Sequence, residues 1–130
     1  DIQNEMLDII RKRMKKRGTS NVVPTLGTID DTKLPVDTID LVLLVDAYHE
    51  FSHPREMMES IFNALRPGGR LVLIEYRKED PSVLIKPLHK MTQKQAILEM
   101  KAVGLKWKET KDFLPKQHFM VFTKPLPQKG

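Results

Sequence analysis

Residues Ile39–Tyr76 read IDLVLLVDAYHEFSHPREMMESIFNALRPGGRLVLIEY, and the changes of periodicity inside this stretch decide the fold. IDLVLLV is a continuous apolar run, too short for a helix of its own, which is the pattern of a strand buried on both faces. Pro54 then opens a segment in which Met57, Met58, Ile61, Phe62 and Leu65 recur at helical spacing, with proline where a first turn tolerates it. Pro67, Gly68 and Gly69 end that helix, and RLVLIEY (Arg70–Tyr76) is a second buried strand. Strand, helix, strand calls for a right-handed crossover in a parallel sheet, so the chain is α/β.

Upstream, Ile2, Met6, Ile10 and Met14 lie on one helical stripe, which predicts a helix over residues 3–17 closed by Gly18. The basic run RKRMKKR (Arg11–Arg17) falls in its last turns, where cations complement the helix dipole and long stems lie over apolar surface. NVVPTLG (Asn21–Gly27) reads as a short edge strand, because Pro24 donates no ladder hydrogen bond. Downstream of a loop over residues 77–91, Thr92 caps a third helix with Ile97, Leu98 and Val103 inward and Gly104 as its stop. LKWKETKDFL (Leu105–Leu114) alternates like a half-exposed strand. HFMVFTK (His118–Lys124) returns after a turn, which predicts a C-terminal antiparallel hairpin. The domain is expected to span 1–124, and PLPQKG (125–130) is expected to be a flexible tail.

Composition narrows the function. A chain of 130 residues makes one domain with a core of its own. It has no cysteine, which excludes disulfides and thiolate zinc sites. No charged-then-apolar leader and no run of about 18 apolar residues occurs, so a soluble, cytoplasmic protein is expected. The net charge of +5 is concentrated in Arg11–Arg17. No aromatic residue interleaves with that cluster, so nucleic acid is not the expected partner.

Ligands of open α/β sheets bind outside the carboxyl ends of the strands. Asp46, Tyr48, His49 and Glu50 leave one such end, Glu75 and Tyr76 the next, and the hairpin turn with Lys116, Gln117 and His118 reaches the same rim if its first strand runs parallel to them. His49, Glu50 and His53 have no defined ligand spacing on one element, so no metal site is expected there. His89, between Lys86 and Lys90, is expected to be a surface residue of its loop.

DIQNEM (Asp1–Met6), TIDDTKLP (Thr28–Pro35), IDLVLLVDAYHEF (Ile39–Phe51) and LRPGGRLVLIEY (Leu65–Tyr76), in this order, resemble class I S-adenosylmethionine-dependent methyltransferases, and within them the type 11 or ubiquinone-biosynthesis-like small-molecule group. The likeness covers nearly the whole chain. It implies a Rossmann-like sheet with helices on both faces, and methyl transfer from S-adenosylmethionine to a small-molecule acceptor by in-line displacement. Asp1 stands where the family's acid grips the ribose hydroxyls, two oxygens suiting a diol, with Ile2 and Gln3 following along ribose and adenine. Thr28 occupies the direct position of the acid that meets the adenine amino group, which leaves Asp30 or Asp31 for that role. Val45 and Asp46 would lie beside the methionine end of the cofactor. Tyr48, Glu50 and Tyr76 would face the acceptor. Where the acceptor is protonated, the expected base is His49, then His118.

The glycine-rich turn that opens such domains is absent from these residues. The chain reads as a domain lacking its N-terminal strands, with two unpaired sheet edges where they would lie. A homodimer is expected, or a sheet rearranged so that NVVPTL pairs with IDLVLLV. The chain alone is expected to bind cofactor weakly and to be inactive. The alternative is a non-catalytic fragment that self-associates through those edges.

Overall fold

The computed structural model describes residues 1–128. In chain order it contains α1 (Asn4–Arg17), β1 (Ile39–Val45), a 3-10 turn at Tyr48–Glu50, α2 (Pro54–Ala64), β2 (Leu65–Arg77), a second 3-10 turn at Pro87–His89, β3 (Lys90–Met91), α3 (Gln93–Ala102), β4 (Lys106–Lys111) and β5 (Gln117–Thr123). The sheet order is β1-β2-β5-β4, with the two-residue β3 beside β2. β1 and β2 are parallel, while β5 runs antiparallel to both β2 and β4. β4 therefore runs with β1 and β2, and the turn between β4 and β5 comes to the carboxyl rim as expected.

The main core lies between one sheet face and helices α2 and α3. Met58, Ile61, Leu71, Leu73, Met120 and Phe122 form its centre. The helical spacing places α2 correctly, since Met57, Met58, Ile61 and Ala64 are its buried residues. Lys124 secures the end of this helix. Its Nζ donates to the carbonyls of Phe62 and Leu65 at 2.9 and 2.8 Å, satisfying acceptors that a helix end leaves open.

Several local expectations are corrected. β2 does not begin after the Pro-Gly-Gly but runs through it: the pairing jumps from Ile39↔Leu65 to Leu41↔Arg70, so residues 66–69 bulge out of the ladder. Gly68 adopts φ 82°, and a Cβ on Gly69 would lie 2.8 Å from the Arg66 carbonyl oxygen, so the bulge requires bare backbone. β1 is not buried on both faces. Val42 and Leu44 pack on the core, but Leu41, Leu43 and Val45 are about half exposed. Among the described residues β1 pairs only with β2, and a strand at the sheet edge lacks the neighbours that would cover its second face.

The segment NVVPTLG forms no strand and does not pair with β1. Instead, the main chain of Asp1 donates to Thr25 O and accepts from Gly27 N at 2.8 Å, the pattern of one parallel bridge opposite Leu26. In α1 the buried residue is Leu7; Ile2 and Met6 of the expected stripe are about half exposed. In α3, Thr92 caps the helix by accepting from Gln95 N, as its type predicts, but Ala96 and Met100 are the buried side chains and Leu98 faces outward. A stripe read by spacing alone turns by one position when only a narrow part of the helix touches the sheet. Of the expected tail, residues 125–128 carry no regular structure, and 129–130 lie outside the described residues.

Candidate functional site

Two cavities open at the carboxyl rim and share Phe51 as a wall. The first, of about 500 Å³, is bounded by Asp1, Ile2, Asp31, Leu44, Glu50 and Met57, with Gly27 and Thr28. Its lining is mostly apolar with a few polar groups, which is the usual make-up of a small-molecule site. Asp1 Oδ1 accepts from the amide of Gln3 at 2.9 Å, which leaves its second oxygen without a protein donor among the described contacts. Asp31 accepts from the amide of Lys33 and from Ser60 Oγ; the Lys33 amide is the main reason its carboxyl is held below the usual range. Of the two acids expected to meet adenine, Asp31 lines this cavity. Asp30 lies outside it, bonded to Thr28 Oγ at 2.7 Å.

The second cavity, of about 480 Å³, is lined by Tyr48, His49, Lys90, Thr92, Gln95 and Glu99 among others. Behind His49 lies Glu75, whose side chain is 0% exposed; it and His118 are the buried charged or imidazole side chains among the described residues. Glu75 Oε2 contacts His49 Nδ1 at 2.7 Å and Oε1 accepts from the His49 amide at 3.1 Å. One acid thus holds both the imidazole and the main chain of the 3-10 turn that carries it. Tyr48 OH donates to Glu99 Oε1 at 2.7 Å, and burial together with that acceptor pushes its phenol well above the usual range, so it stays protonated.

Other expected residues are placed differently. Asp46 turns the chain from β1 at φ 50°, and its carboxylate accepts from Gln117 Nε2 at 2.7 and 3.0 Å; neither it nor Val45 lines the two cavities. Tyr76 lies in the ladder opposite Gln117 and lines neither. His118, expected as a second base, is buried with Nε2 against Glu79 Oε1 at 2.9 Å and Met91 O at 3.1 Å. It is tied into the fold between β5 and the loop before α3. His53 pairs with Ser52 on the surface. Glu99, Gln95 and Lys90 carried no signal in the sequence. Glu75 did, as a lone acid ending an apolar strand.

The Glu79–His118 contact has a pH signature. Burial raises the Glu79 carboxyl, but the amides of Gln93 and Glu79 and the imidazole of His118 outweigh it, so the group sits below its ordinary value. A depressed folded-state value means stability that is present above the unfolded carboxyl's range and is lost as pH falls through the folded one. The urea midpoint of Glu79→Gln is therefore expected to lie below that of the parent at neutral pH, and the two are expected to converge in acid. Equal midpoints at neutral pH would refute this.

The sheet order, the antiparallel final pair and ligand-sized cavities at the carboxyl rim define a Rossmann-like domain of the methyltransferase class. A family profile described as "Methyltransferase domain" matches residues 1–118, and the chain belongs to that family. It is similar to the ubiquinone/menaquinone biosynthesis C-methyltransferase UbiE of Wigglesworthia glossinidia brevipalpis, with 30% identity over 79 residues, covering 60% of this chain and 32% of that protein. An uncharacterized methyltransferase of Bacillus subtilis, YcgJ, is 29% identical over 82 residues, covering 62% and 32%. The chain thus spans about a third of the length of these relatives. A SAM-dependent methyltransferase from Aquifex aeolicus shares the fold with a TM-score of 0.86 at 20% identity, covering 95% of this chain and 66% of that one. Among the described residues, no helix is long and apolar enough to cross a membrane.

Proposed function

We propose that the domain, expected to span 1–124, transfers a methyl group from S-adenosylmethionine to a small-molecule acceptor, in the cytoplasm. The observation that carries this reading is the pair of cavities meeting at Phe51, one offering Asp1 and an apolar wall, the other an imidazole backed by a buried carboxylate. The donor set fits the cofactor. Asp1 suits the ribose diol, Ile2, Leu34 and Met57 offer apolar surface to the adenine, and Asp31, in the same lining, would meet its amino group. When bound, the cofactor supplies an electrophilic methyl on a positively charged sulfur.

The protein's part is alignment and proton removal. Phe51 walls both chambers and Glu50 lines the first, so acceptor and methyl would be brought into line past Phe51. Glu75 orients His49 through Nδ1, which leaves Nε2, 3.2 Å from His89 Nδ1, as the nitrogen that would take the acceptor's proton. Tyr48, protonated and fixed by Glu99, shapes the acceptor chamber. Uptake of a UbiE-like small substrate is supported by the relatives' names and by the chamber's size.

A second reading rests on the open side of β1. Its free edge and the half-exposed Leu41, Leu43 and Val45 favour a homodimer or a self-associating, non-catalytic fragment. Titration of S-adenosylhomocysteine into the isotope-labelled chain, with light scattering on the same sample, separates the two. Amide shifts confined to residues 1–3, 27–32 and 47–51, with at least about tenfold weaker binding by Asp1→Ala, are expected for the cofactor reading, about 1.4 kcal/mol or more. The affinity is expected to be low for this chain alone. No shifts at saturating ligand, with a dimer in scattering, would replace it with the second reading.

A further inference from the structure

Three donor atoms beside the acceptor chamber come from two separate segments: His49 Nε2 and a Glu50 carboxylate oxygen from the 3-10 turn after β1, and His89 Nδ1 from the turn before β3. All three lie within 4.8 Å of one another. We propose that His49, Glu50 and His89 form a binding site for a divalent first-row transition ion of the zinc and cobalt kind.

The geometry favours an ion over chance proximity. His49 Nε2 and His89 Nδ1 are 3.2 Å apart, with the rings at 81° and their centroids 5.0 Å apart, so nitrogen edges converge rather than faces stacking. Two ligands at about 2.1 Å from one tetrahedral ion stand about 3.4 Å apart, so this separation already suits a shared metal. Glu75 completes the arrangement. Its carboxylate can only accept from Nδ1 of His49, which puts the proton there and leaves Nε2 unprotonated for an ion. Metal-ligating imidazoles are held in this way, their second nitrogen donating to a carboxylate that fixes ring and tautomer. Glu75 is fully buried and fixed by a second bond from the His49 amide, so the ring is placed before any ion arrives.

Two imidazoles and one carboxylate oxygen select zinc or cobalt over magnesium or calcium, which prefer all-oxygen shells. Three protein ligands also leave a position for water or a substrate atom, and His49 lines the acceptor chamber. Only the role, not the binding, rests on the function proposed above. An ion on Nε2 occupies the lone pair that would otherwise take the acceptor's proton, so the loaded site would instead coordinate the acceptor's oxygen or nitrogen and favour its deprotonated form. No metal was expected from the sequence, because His49, Glu50 and His53 have no common spacing. The third ligand is His89, which the loop brings in from forty residues away.

Cobalt(II) chloride titrated into the chain, with no cofactor or acceptor present, reads this cluster alone. Visible d–d bands of four-coordinate cobalt, saturating near one equivalent and bleached by zinc, are the expected result. His89→Ala, at an exposed site where folding is not at risk, is expected to abolish the bands. Glu75→Gln is expected to weaken binding about 10–100-fold, as loss of an orienting partner does, and Glu50→Gln to shift the spectrum. Absence of the bands, or bands indifferent to His89→Ala in a sample that circular dichroism shows to be folded, would overturn the site and leave the contact as a plain imidazole–imidazole hydrogen bond. Neither outcome bears on the S-adenosylhomocysteine shifts, so the two proposals fail separately.

Discussion

Glu75→Ala is expected to lower the free energy of unfolding by about 3–5 kcal/mol. Two donors lose their acceptor at once, the His49 amide and its ring nitrogen, and each buried donor left unpaired costs about 1–3 kcal/mol. The space vacated at a fully buried position adds to this. Glu75→Gln keeps the shape and one acceptor oxygen, so it is expected to lose roughly half as much. Urea denaturation of the three proteins at neutral pH checks the order. If the alanine variant cost no more than the glutamine variant, Glu75 would not be holding the turn that carries His49. The placement of the base and of the proposed ion would then need another cause.

Phe122→Ala is expected to cost about 3–5 kcal/mol, the range for emptying a fully buried aromatic position. Phe122 is 0% exposed on the central strand β5, paired with Leu71 on one side and Trp107 on the other. Its ring belongs to the cluster formed with α2 and α3, which therefore cannot close the gap without moving the sheet. Most of a small domain's stability is of this size, so partial unfolding at ambient temperature is expected, visible as lost near-ultraviolet dichroism. A midpoint close to the parent's would mean that the core relaxes around the cavity.

Much of the architecture is legible in the sequence because its signals are local. The helical spacing from Met57 to Ile61, the Thr92 cap, the apolar run of β2 and the antiparallel pairing of the final hairpin each depend on a few neighbouring residues, and the structure keeps them, although β4 is exposed on both faces rather than alternating. The polar groups after the first strand likewise mark the rim: Tyr48 and His49 line the second cavity and Glu50 the first, while Asp46 serves the turn. The errors lie where coverage by distant elements decides. β1 has the same apolar run as β2, but β2 has a strand on either side and β1 has only one, so the same pattern is buried in one place and half exposed in the other.

The sequence by itself determined the α/β class, the order of the main elements from β1 to the hairpin, and the rim on which chemistry gathers. Tertiary structure alone decided which of the named residues meet. It paired His49 with Glu75 and His89, removed His118 into the core, chose Asp31 over Asp30 for the first cavity, and carried β2 through a bulge at Gly68 and Gly69. The physical reason is range. Propensity, capping and periodicity act over a turn or a few strand residues, whereas a hydrogen bond between residues twenty-six or forty positions apart exists only once the loops have closed and water has been excluded from around it.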